Sequence, residues 1–262
     1  MSRPACALVT GASSGIGKCF ARALAARRHN LVLVARSKDK LETLAAELRA
    51  AHGVEAEPLP FDLSDPPAPA RLVAALREHN REVDLLVNNA GFGARGEFWK
   101  LPLDRQLEML RLNAGALTEL TYLLAGPMIA RRSGAIINVS STVGFQPVPW
   151  TTVYAATKAF VTNFSLGLGE ELKPYGVRVV TLCPGGTQTN FFEASRYGQR
   201  TMPGGLQPPE EVVELALKTL ERGGGLAVPR LLNKLTVFVQ RFVPRSVVMK
   251  ATARLFRPRK AS

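Results

Sequence analysis

Cysteine and histidine are scarce in this chain of 262 residues, which contains three of each. The cysteines cannot pair evenly, and none of the six side chains follows a metal-ligand spacing or lies in a motif that carries chemistry. They are Cys6, Cys19, Cys183, His29, His52 and His79. We therefore predict no metal site, ordinary buried or surface positions for all six residues, and a reducing, cytosolic compartment.

We expect neither a secretory leader nor a membrane span. Met1-Ser-Arg-Pro leads directly into an apolar strand, which leaves no room for a signal peptide. The apolar runs are too short and too charged to cross a bilayer. With no internal repeat, low-complexity linker or inserted domain, the sequence predicts one domain over residues 1–229 and a C-terminal extension over 230–262.

Acidic residues are absent after Glu221, although the chain as a whole carries a net charge of +13. Apolar residues at near-helical spacing run between the bases of this segment and predict two basic amphipathic helices, one on either side of Pro244. Such helices can pack on the body of the protein, bind an anionic carrier protein or lie peripherally on a membrane surface. Nucleic-acid binding is not expected, because the bases lack interleaved aromatic platforms and a reader motif. The bases are Arg222, Arg230, Lys234, Arg241, Arg245, Lys250, Arg254, Arg257, Arg259 and Lys260.

Short apolar runs alternate with helical patterns along the chain, which predicts an α/β fold with a doubly wound parallel sheet of about seven strands. The predicted strands are Ala5 to Val9, Leu31 to Ala35, Val54 to Pro60, Asp84 to Asn88, Ala135 to Ser140, Val177 to Cys183 and Gly225 to Val228.

A glycine-rich loop follows the first strand and opens a helix. Its spacing is G-x-x-x-G-x-G: Gly11 permits the tight turn, Gly15 lets the backbone approach a pyrophosphate, and Gly17 lets the helix pack closely. The helix N-terminus offers free N–H groups to the anion. We predict cofactor contacts from Gly11, Ser13, Ser14, Gly15, Ile16 and Gly17.

The second strand ends in Ala35 and Arg36, with no carboxylate before Asp39. An acidic residue at this point accepts from the ribose 2′-OH of NAD, whereas an arginine accommodates the 2′-phosphate of NADP. The sequence therefore favours NADP(H).

Tyr154 and Lys158 are four residues apart and would share one face of a helix. A phenol that donates a proton near neutral pH needs a lowered pKa, and a neighbouring ammonium supplies that. Ser141 ends a strand thirteen residues before the tyrosine, so a hydroxyl and a phenol could converge on one carbonyl oxygen. The neighbouring Ser140 is the alternative to Ser141 as the hydroxyl that binds this oxygen.

Six motifs stand in one order from the first strand to about residue 190, and together they resemble the short-chain dehydrogenase/reductase family in its compact branch. The matches are T-G-x-x-x-G-x-G from Thr10, N-N-A-G from Asn88, Asn113, Ser141, Y-x-x-x-K from Tyr154, and P-G-x-x-x-T from Pro184. The resemblance implies a Rossmann-type fold.

The resemblance also implies a catalytic relay. Tyr154 would be the general acid, Lys158 would hold the nicotinamide ribose, and Ser141 would polarise the carbonyl. Asn113 would interrupt its helix and hold a water that links Lys158 to solvent.

Further cofactor contacts are implied in the same way. Asp62 would bind the adenine amino group, although a turn aspartate is the alternative. The remaining contacts are assigned to Asn89, Gly91, Pro184, Gly185, Thr187 and Thr189. Residues 190–207 would form a lid that suits an apolar ketone or acyl chain, through Phe191, Phe192, Tyr197, Met202, Arg196 and Arg200.

The leading functional hypothesis is an NADPH-dependent carbonyl reductase acting on an apolar ketone, such as a 3-oxoacyl thioester. Its rival in the same class is an NADP-dependent dehydrogenase of steroid-like or small secondary alcohols. A non-catalytic NADP(H)-binding module recruited by its basic tail is the alternative from another class. Family analogy suggests a dimer or tetramer formed through the helices that carry Asn113 and Tyr154.

Overall fold

The computed structural model describes residues 4–189, 191 and 205–257 and contains one seven-stranded parallel sheet in the order β3-β2-β1-β4-β5-β6-β7. The doubly wound α/β fold is confirmed. The strands are β1 Cys6–Thr10, β2 Asn30–Ala35, β3 Ala56–Pro60, β4 Leu85–Asn88, β5 Gly134–Val139, β6 Val177–Leu182 and β7 Gly225–Ala227.

The sheet is buried because helices cover both faces. Every residue of β1, β4 and β5 is buried, which explains why these strands are continuous apolar runs without alternation. The strand order reverses direction between β1 and β4, whose Val9 and Val87 are paired in register. Ligands of open parallel sheets bind in the crevice outside the carboxyl ends of the strands at such a reversal.

Helices α1, α2 and α7 pack on one face of the sheet, and α3, α5 and α6 pack on the other. Phe20 and Leu44 belong to the first core, and Leu72 and Leu120 to the second. The helices are α1 Gly15–Ala26, α2 Lys38–His52, α3 Ala68–Glu78, α4 Leu103–Leu110, α5 Leu117–Ala130, α6 Thr152–Leu172, α7 Pro209–Glu221, α8 Leu231–Val239 and α9 Arg245–Phe256.

A π-helical turn, Arg111–Ala116, joins α4 to α5 and contains Asn113. Turns of this kind insert a residue into a helix and frequently occur at functional sites. The insertion changes the direction in which the Asn113 side chain leaves the helix.

A buried ladder of polar side chains crosses the sheet. The Asn88 amide donates to Asn138 Oδ1 at 2.9 Å and to Thr121 Oγ1 at 3.0 Å, and the Asn138 amide donates to Ser165 Oγ at 2.9 Å. Asn88 and Asn138 are paired in register across β4 and β5. Each amide group therefore finds its partner although all four side chains are buried.

The two C-terminal helices differ in how they meet the rest of the protein. α9 buries Thr252 and Phe256, and Thr252 Oγ1 donates to the Pro147 carbonyl at 3.0 Å. α8 buries none of its residues. α9 therefore packs on the body through a buried inner face, whereas α8 contacts the body without burying any of its residues. Among the described residues, no helix is long and apolar enough to cross a membrane.

Candidate active site

A cavity of about 530 Å³ lies at the carboxyl ends of the strands. Almost every residue assigned to the site from sequence lines it, and the two exceptions are Gly17 and Asn113. The lining residues among them are Gly11, Ser13, Ser14, Gly15, Ile16, Arg36, Asp62, Asn89, Gly91, Ser141, Tyr154, Lys158, Pro184, Gly185, Thr187 and Thr189.

The glycine positions of the loop after β1 have no room for side chains. Gly11 and Gly15 have positive φ of 66° and 53°, and a Cβ on Gly17 would lie 2.3 Å from the Gly11 carbonyl oxygen. The Asn89 amide donates to the Thr10 carbonyl at 2.9 Å and to the Gly11 carbonyl at 3.3 Å. The side chain of Asn89 therefore stabilises the loop by binding two of its backbone carbonyls.

The N-terminus of α1 faces the cavity and offers an anion site. Ser14 makes no side-chain capping hydrogen bond, and the first turn of α1 contains no acidic residue. The first amide groups of a helix have no partner within the helix, and its dipole favours an anion there. Together with the missing Cβ atoms of the loop, this geometry fits a dinucleotide pyrophosphate.

Arg36 lies between two carboxylates at the end of β2. Its Nη1 atom is 3.7 Å from Asp62 Oδ2 and 3.5 Å from Glu108 Oε1. Burial alone would raise the pKa of Asp62, but hydrogen bonds from Ser64 and the charge of Arg36 lower that pKa below its ordinary value. Asp62 also accepts from the Ser64 amide at 3.0 Å, as a turn aspartate does. Asp62 thus combines the turn geometry with a position in the cavity wall.

The end of β5 and the start of α6 bring three of the side chains predicted to be catalytic to one wall of the cavity. Ser141 follows β5 by two residues, and its Oγ donates to the Pro184 carbonyl and accepts from the Val143 amide, both at 3.3 Å. α6 begins at Thr152, so Tyr154 lies in its first turn and Lys158 one turn further along.

Lys158 is buried and donates from Nζ to the Val139 carbonyl at 2.8 Å. Burial lowers the pKa of its ammonium from 10.5 to about 8. At neutral pH this ammonium is therefore still a cation, but it releases its proton more readily than an exposed lysine does, which suits a group that takes part in proton transfer.

Tyr154 has apolar neighbours on its cavity side. Its ring centroid lies 5.4 Å from that of Phe191, and Phe92 and Met109 belong to the same cluster. The Lys158 ammonium lies 5.8 Å from the Tyr154 ring centroid. The phenol therefore stands between an apolar surface and a buried cation.

Ser140 and Ser141 have different surroundings although they are adjacent. Ser140 Oγ donates to the Lys158 carbonyl at 2.8 Å and lies 2.7 Å from Thr162 Oγ1. These contacts hold α6 against β5. Among the described residues, the Ser141 hydroxyl forms the two longer contacts of 3.3 Å and no others, so it is the one more readily turned toward a ligand.

Asn113 is almost completely buried and bonds to the loop after β4. Its amide donates to the Phe92 carbonyl at 2.9 Å, and its Oδ1 accepts from the Phe92 amide at 3.1 Å. A Cβ on Gly91 would lie 2.9 Å from Asn113 Oδ1 and 3.6 Å from Lys158 Nζ. The side chain of Asn113 therefore binds protein groups and fixes the loop beside Lys158, without lining the cavity.

The loop after β6 lines the site and reaches the glycine loop. Thr189 lies against Gly15, where an added Cβ would be 3.0 Å from Thr189 Cγ2. Thr187 Oγ1 accepts from Gln207 Nε2 at 3.2 Å. A Cβ on Gly185 would lie 2.7 Å from Asn233 Nδ2, so α8 packs closely against this loop through the Asn233 side chain.

Several lining residues could not be found from sequence motifs. Arg105 on α4 is one of them. Its guanidinium lies 3.6 Å from the Phe92 ring centroid and donates at 2.8 Å to Glu108, which does not itself line the cavity. The C-terminal helices contribute Leu232, Asn233, Thr236, Leu255 and Phe256. No motif marks these positions. Of the residues assigned to the lid, Phe191 lines the cavity, and Phe192, Arg196, Tyr197, Arg200 and Met202 lie outside the described residues.

The fold and this wall of side chains define an oxidoreductase of the Rossmann type that acts on CH–OH or C=O groups. The family model described as short chain dehydrogenase matches residues 5–200. The chain belongs to the short-chain dehydrogenase/reductase family.

Three known proteins show the extent of the similarity. The very-long-chain 3-oxoacyl-CoA reductase of Phaeosphaeria nodorum is 35% identical over 229 residues, which are 84% of this chain and 64% of that protein. The chain therefore spans less than two thirds of that relative's length. The short-chain dehydrogenase from Sphingobium yanoikuyae in complex with NADPH is 35% identical, with a TM-score of 0.83 and coverage of 98% and 97% of the two chains.

The third is the bulky-bulky ketone specific alcohol dehydrogenase from Comamonas testosteroni. It is 33% identical, with a TM-score of 0.79, and the match covers 100% of this chain and 97% of that one. Both structural matches extend across the C-terminal helices.

Proposed function

We propose that this protein is an NADPH-dependent carbonyl reductase that reduces apolar ketones to secondary alcohols, with 3-oxoacyl thioesters as the leading substrate class. The observation that carries the proposal is the convergence of Ser141, Tyr154 and Lys158 on one wall of a cavity whose other walls are the anion-binding loop and an apolar surface.

The chain has a complete set of groups to hold the cofactor. The amides at the start of α1 would receive the pyrophosphate, and Arg36 would receive the 2′-phosphate. Asp62, Gly91 and the loop from Pro184 to Thr189 line the remainder of the cavity. When bound, NADPH supplies the hydride.

Tyr154 donates the proton that the reduced carbonyl oxygen requires. Proton transfer from a positioned side chain contributes about 10²–10⁴-fold to the rate. The Ser141 hydroxyl donates to the same oxygen as negative charge develops there. Lys158 favours the phenolate left behind, because an adjacent cation stabilises the ionised form of a tyrosine.

The substrate side of the cavity suits an apolar group. Phe92, Val143 and Phe191 surround Tyr154, and Leu232 and Leu255 extend the apolar lining toward the C-terminal helices. The name of the relative in Phaeosphaeria nodorum supports a long-chain 3-oxoacyl thioester.

A second candidate is NADP-dependent oxidation of bulky secondary alcohols. Its support is the match to the bulky-bulky ketone specific enzyme and to a 7β-hydroxysteroid dehydrogenase, with a TM-score of 0.84 at 26% identity. The same Tyr154 would then act as the general base.

The experiment that tests the proposal follows NADPH oxidation with ketones of graded size, from short aldehydes through bulky cyclic ketones to long-chain 3-oxoacyl thioesters, beside NADH. Turnover that rises with acyl length and prefers NADPH supports the leading function. Preference for bulky cyclic ketones favours the second candidate. Measurable NADPH binding without turnover of any carbonyl would favour a non-catalytic binding module and overturn both.

We also propose a cytoplasmic enzyme that assembles as a dimer or tetramer through α4 to α6, with a peripheral membrane contact through its basic tail. Exposed apolar side chains on α4 to α6 support the assembly. They are Leu107, Leu110, Tyr122, Phe160 and Leu166.

A further inference from the structure

The helix α8 has two faces with different surroundings. Leu232 and Thr236 are four residues apart and line the cavity together with Asn233. Leu231, Leu235 and Phe238 follow the i, i+4, i+7 pattern on another face, and Phe242 continues that line just past the helix. We call these four residues the outer stripe.

The outer stripe is uncovered. Its members are 79%, 54%, 56% and 74% exposed in chain order, and no residue of α8 is buried. The Phe238 and Phe242 rings contact each other edge to face at 5.2 Å. Contiguous apolar surface of this kind on a soluble domain marks an interaction site.

Five exposed cations belong to α8, α9 and the turn between them, and within the part of the chain that the structure describes none of them forms an ion pair. No acidic residue follows Glu221. They are Lys234, Arg241, Arg245, Lys250 and Arg254. The partner must therefore be both apolar and anionic.

A second copy of this chain meets these requirements poorly. A two-fold contact places the same patch on both partners, so the five cations of one chain would face the five of the other with no acid from the tail between them. An acidic carrier protein would satisfy the cations, but the outer stripe also needs an apolar surface next to the negative charges, which a bilayer supplies along its whole interface.

We infer that the outer stripe and the five cations dock on an anionic lipid bilayer, and that the docked α8 passes apolar ketones from the bilayer into the cavity it lines. The inference rests on the proposed function. A basic helix with leucine and phenylalanine on one face lies in the membrane interface and does not cross it. Because Leu232 lines the cavity and is 50% exposed, the apolar surface continues from the outside of α8 to the inside of the site.

Docking is measured by co-sedimentation of the full-length protein with vesicles of phosphatidylcholine, with and without phosphatidylserine. We expect binding only with phosphatidylserine and a decrease at high salt. Each basic residue at such a surface strengthens binding about fivefold. Arg241→Glu with Arg245→Glu should therefore weaken binding at least about tenfold, and Phe238→Ser with Phe242→Ser should weaken it at all salt concentrations.

Lys173→Glu with Tyr175→Ser is the matched control. Both residues are exposed, and they precede β6 at the amino-terminal edge of the sheet, opposite the cavity. This variant should bind vesicles as the unaltered protein does.

Coupling to the cavity is measured by turnover. Phosphatidylserine vesicles should raise kcat/KM for a long-chain ketone several-fold and leave a short water-soluble ketone unchanged, and the stripe variants should lose the increase while keeping short-ketone turnover. That short-ketone rate reports the proposed function alone, so absence of turnover there is failure of the function and not of docking.

Three outcomes overturn the inference. The first is absence of vesicle binding, and the second is binding that is equal with and without phosphatidylserine. The third is vesicle binding with no change in long-chain turnover, which overturns transfer from the bilayer. If vesicle binding is absent, binding to an acidic carrier protein assigns the outer stripe to such a protein. A change of oligomeric state in the stripe variants then assigns it to a second copy of this chain.

Discussion

The ammonium of Lys158 donates a hydrogen bond to the backbone carbonyl of Val139, the last residue of β5, across 2.8 Å. This bond joins the helix that carries Tyr154 to the strand that leads into Ser141. The reactive side chains therefore share one support, although they come from separate elements.

Replacing Tyr154 with phenylalanine should lower kcat about 10²–10⁴-fold, because the reduced oxygen loses its proton donor. NADPH binding should be retained, since the ring and its contact with Phe191 remain. Steady-state kinetics beside a fluorescence titration with NADPH measure both quantities. Near-normal turnover would show that another group supplies the proton.

Ser140 and Ser141 should respond differently to alanine. Ser141→Ala should lower kcat about 10²-fold through loss of a donor to the developing oxyanion, with little change in stability. Ser140→Ala removes the bond to the Lys158 carbonyl and should lower the free energy of unfolding by about 1 kcal/mol or more, with a smaller effect on kcat. Denaturant unfolding and kinetics on both variants test the assignment, and the reverse pattern would exchange the two roles.

Lys158 should give the cofactor-free enzyme a pH-dependent stability. Burial lowers the pKa of Lys158 from 10.5 to about 8, so between these values the unfolded chain holds a proton that the folded chain has released. The free energy of unfolding should therefore rise with pH over that range, by roughly 3 kcal/mol at most. Below about pH 8 the lysine is protonated in both states and its burial destabilises the fold by a constant amount.

Lys158→Met should remove this rise and raise the Tm at pH 7. Denaturant unfolding between pH 7 and pH 10 measures how the free energy of unfolding depends on pH. Lys173→Met, which alters an exposed lysine, is the control. If the curve of Lys158→Met runs parallel to that of the unaltered enzyme, the ammonium is not the source.

Arg36→Leu should reduce the preference for NADPH. Loss of a hydrogen bond to a charged group should lower kcat/KM for NADPH about 10- to 100-fold and leave NADH nearly unchanged. The exposed neighbour Lys38, changed to leucine, is the matched control. Equal losses with both cofactors would place Arg36 outside the 2′-phosphate site.

Glu108→Gln should have the opposite effect. Glu108 lies 3.5 Å from Arg36 and 2.8 Å from Arg105. Its negative charge therefore competes with the 2′-phosphate for the Arg36 guanidinium and also repels that phosphate. Its removal should tighten NADPH binding up to about fivefold without changing NADH binding. Isothermal titration measures this, beside Glu97→Gln, which removes the partner of Lys100. Weaker NADPH binding in Glu108→Gln would mean that the carboxylate positions Arg36 for the phosphate.

The strands of the sheet and the order of the motifs could be predicted from the sequence, because both depend on patterns among residues that are close together along the chain. The predicted strand from Val177 to Cys183 is observed over Val177–Leu182, and that from Asp84 to Asn88 over Leu85–Asn88. Buried parallel strands are continuous apolar runs, and the glycine loop requires a spacing that can be read directly.

The features of the site that could not be predicted depend on contacts between distant parts of the chain. Nothing near Arg36 in the sequence indicates that Glu108 reaches it, 72 residues away along the chain. The amphipathic pattern of α8 was visible, but which of its faces would meet the cavity was not, since both faces contain leucine. The bonds of Asn113 to Phe92 depend on a π-helical turn that no local propensity encodes.

The amide pair of Asn88 and Asn138 has a consequence for folding. Both side chains are buried, and each finds its partner only when β4 and β5 are aligned as observed. A shift of one residue would turn each amide to the opposite face of the sheet and leave polar atoms unsatisfied in the core. Ser141 is only two residues beyond β5. The alignment of β4 with β5 that satisfies the two amides therefore also sets the position of the Ser141 hydroxyl relative to Tyr154. Chains that pair these strands wrongly are thus both unstable and inactive, so folding to the stable state also selects the competent site.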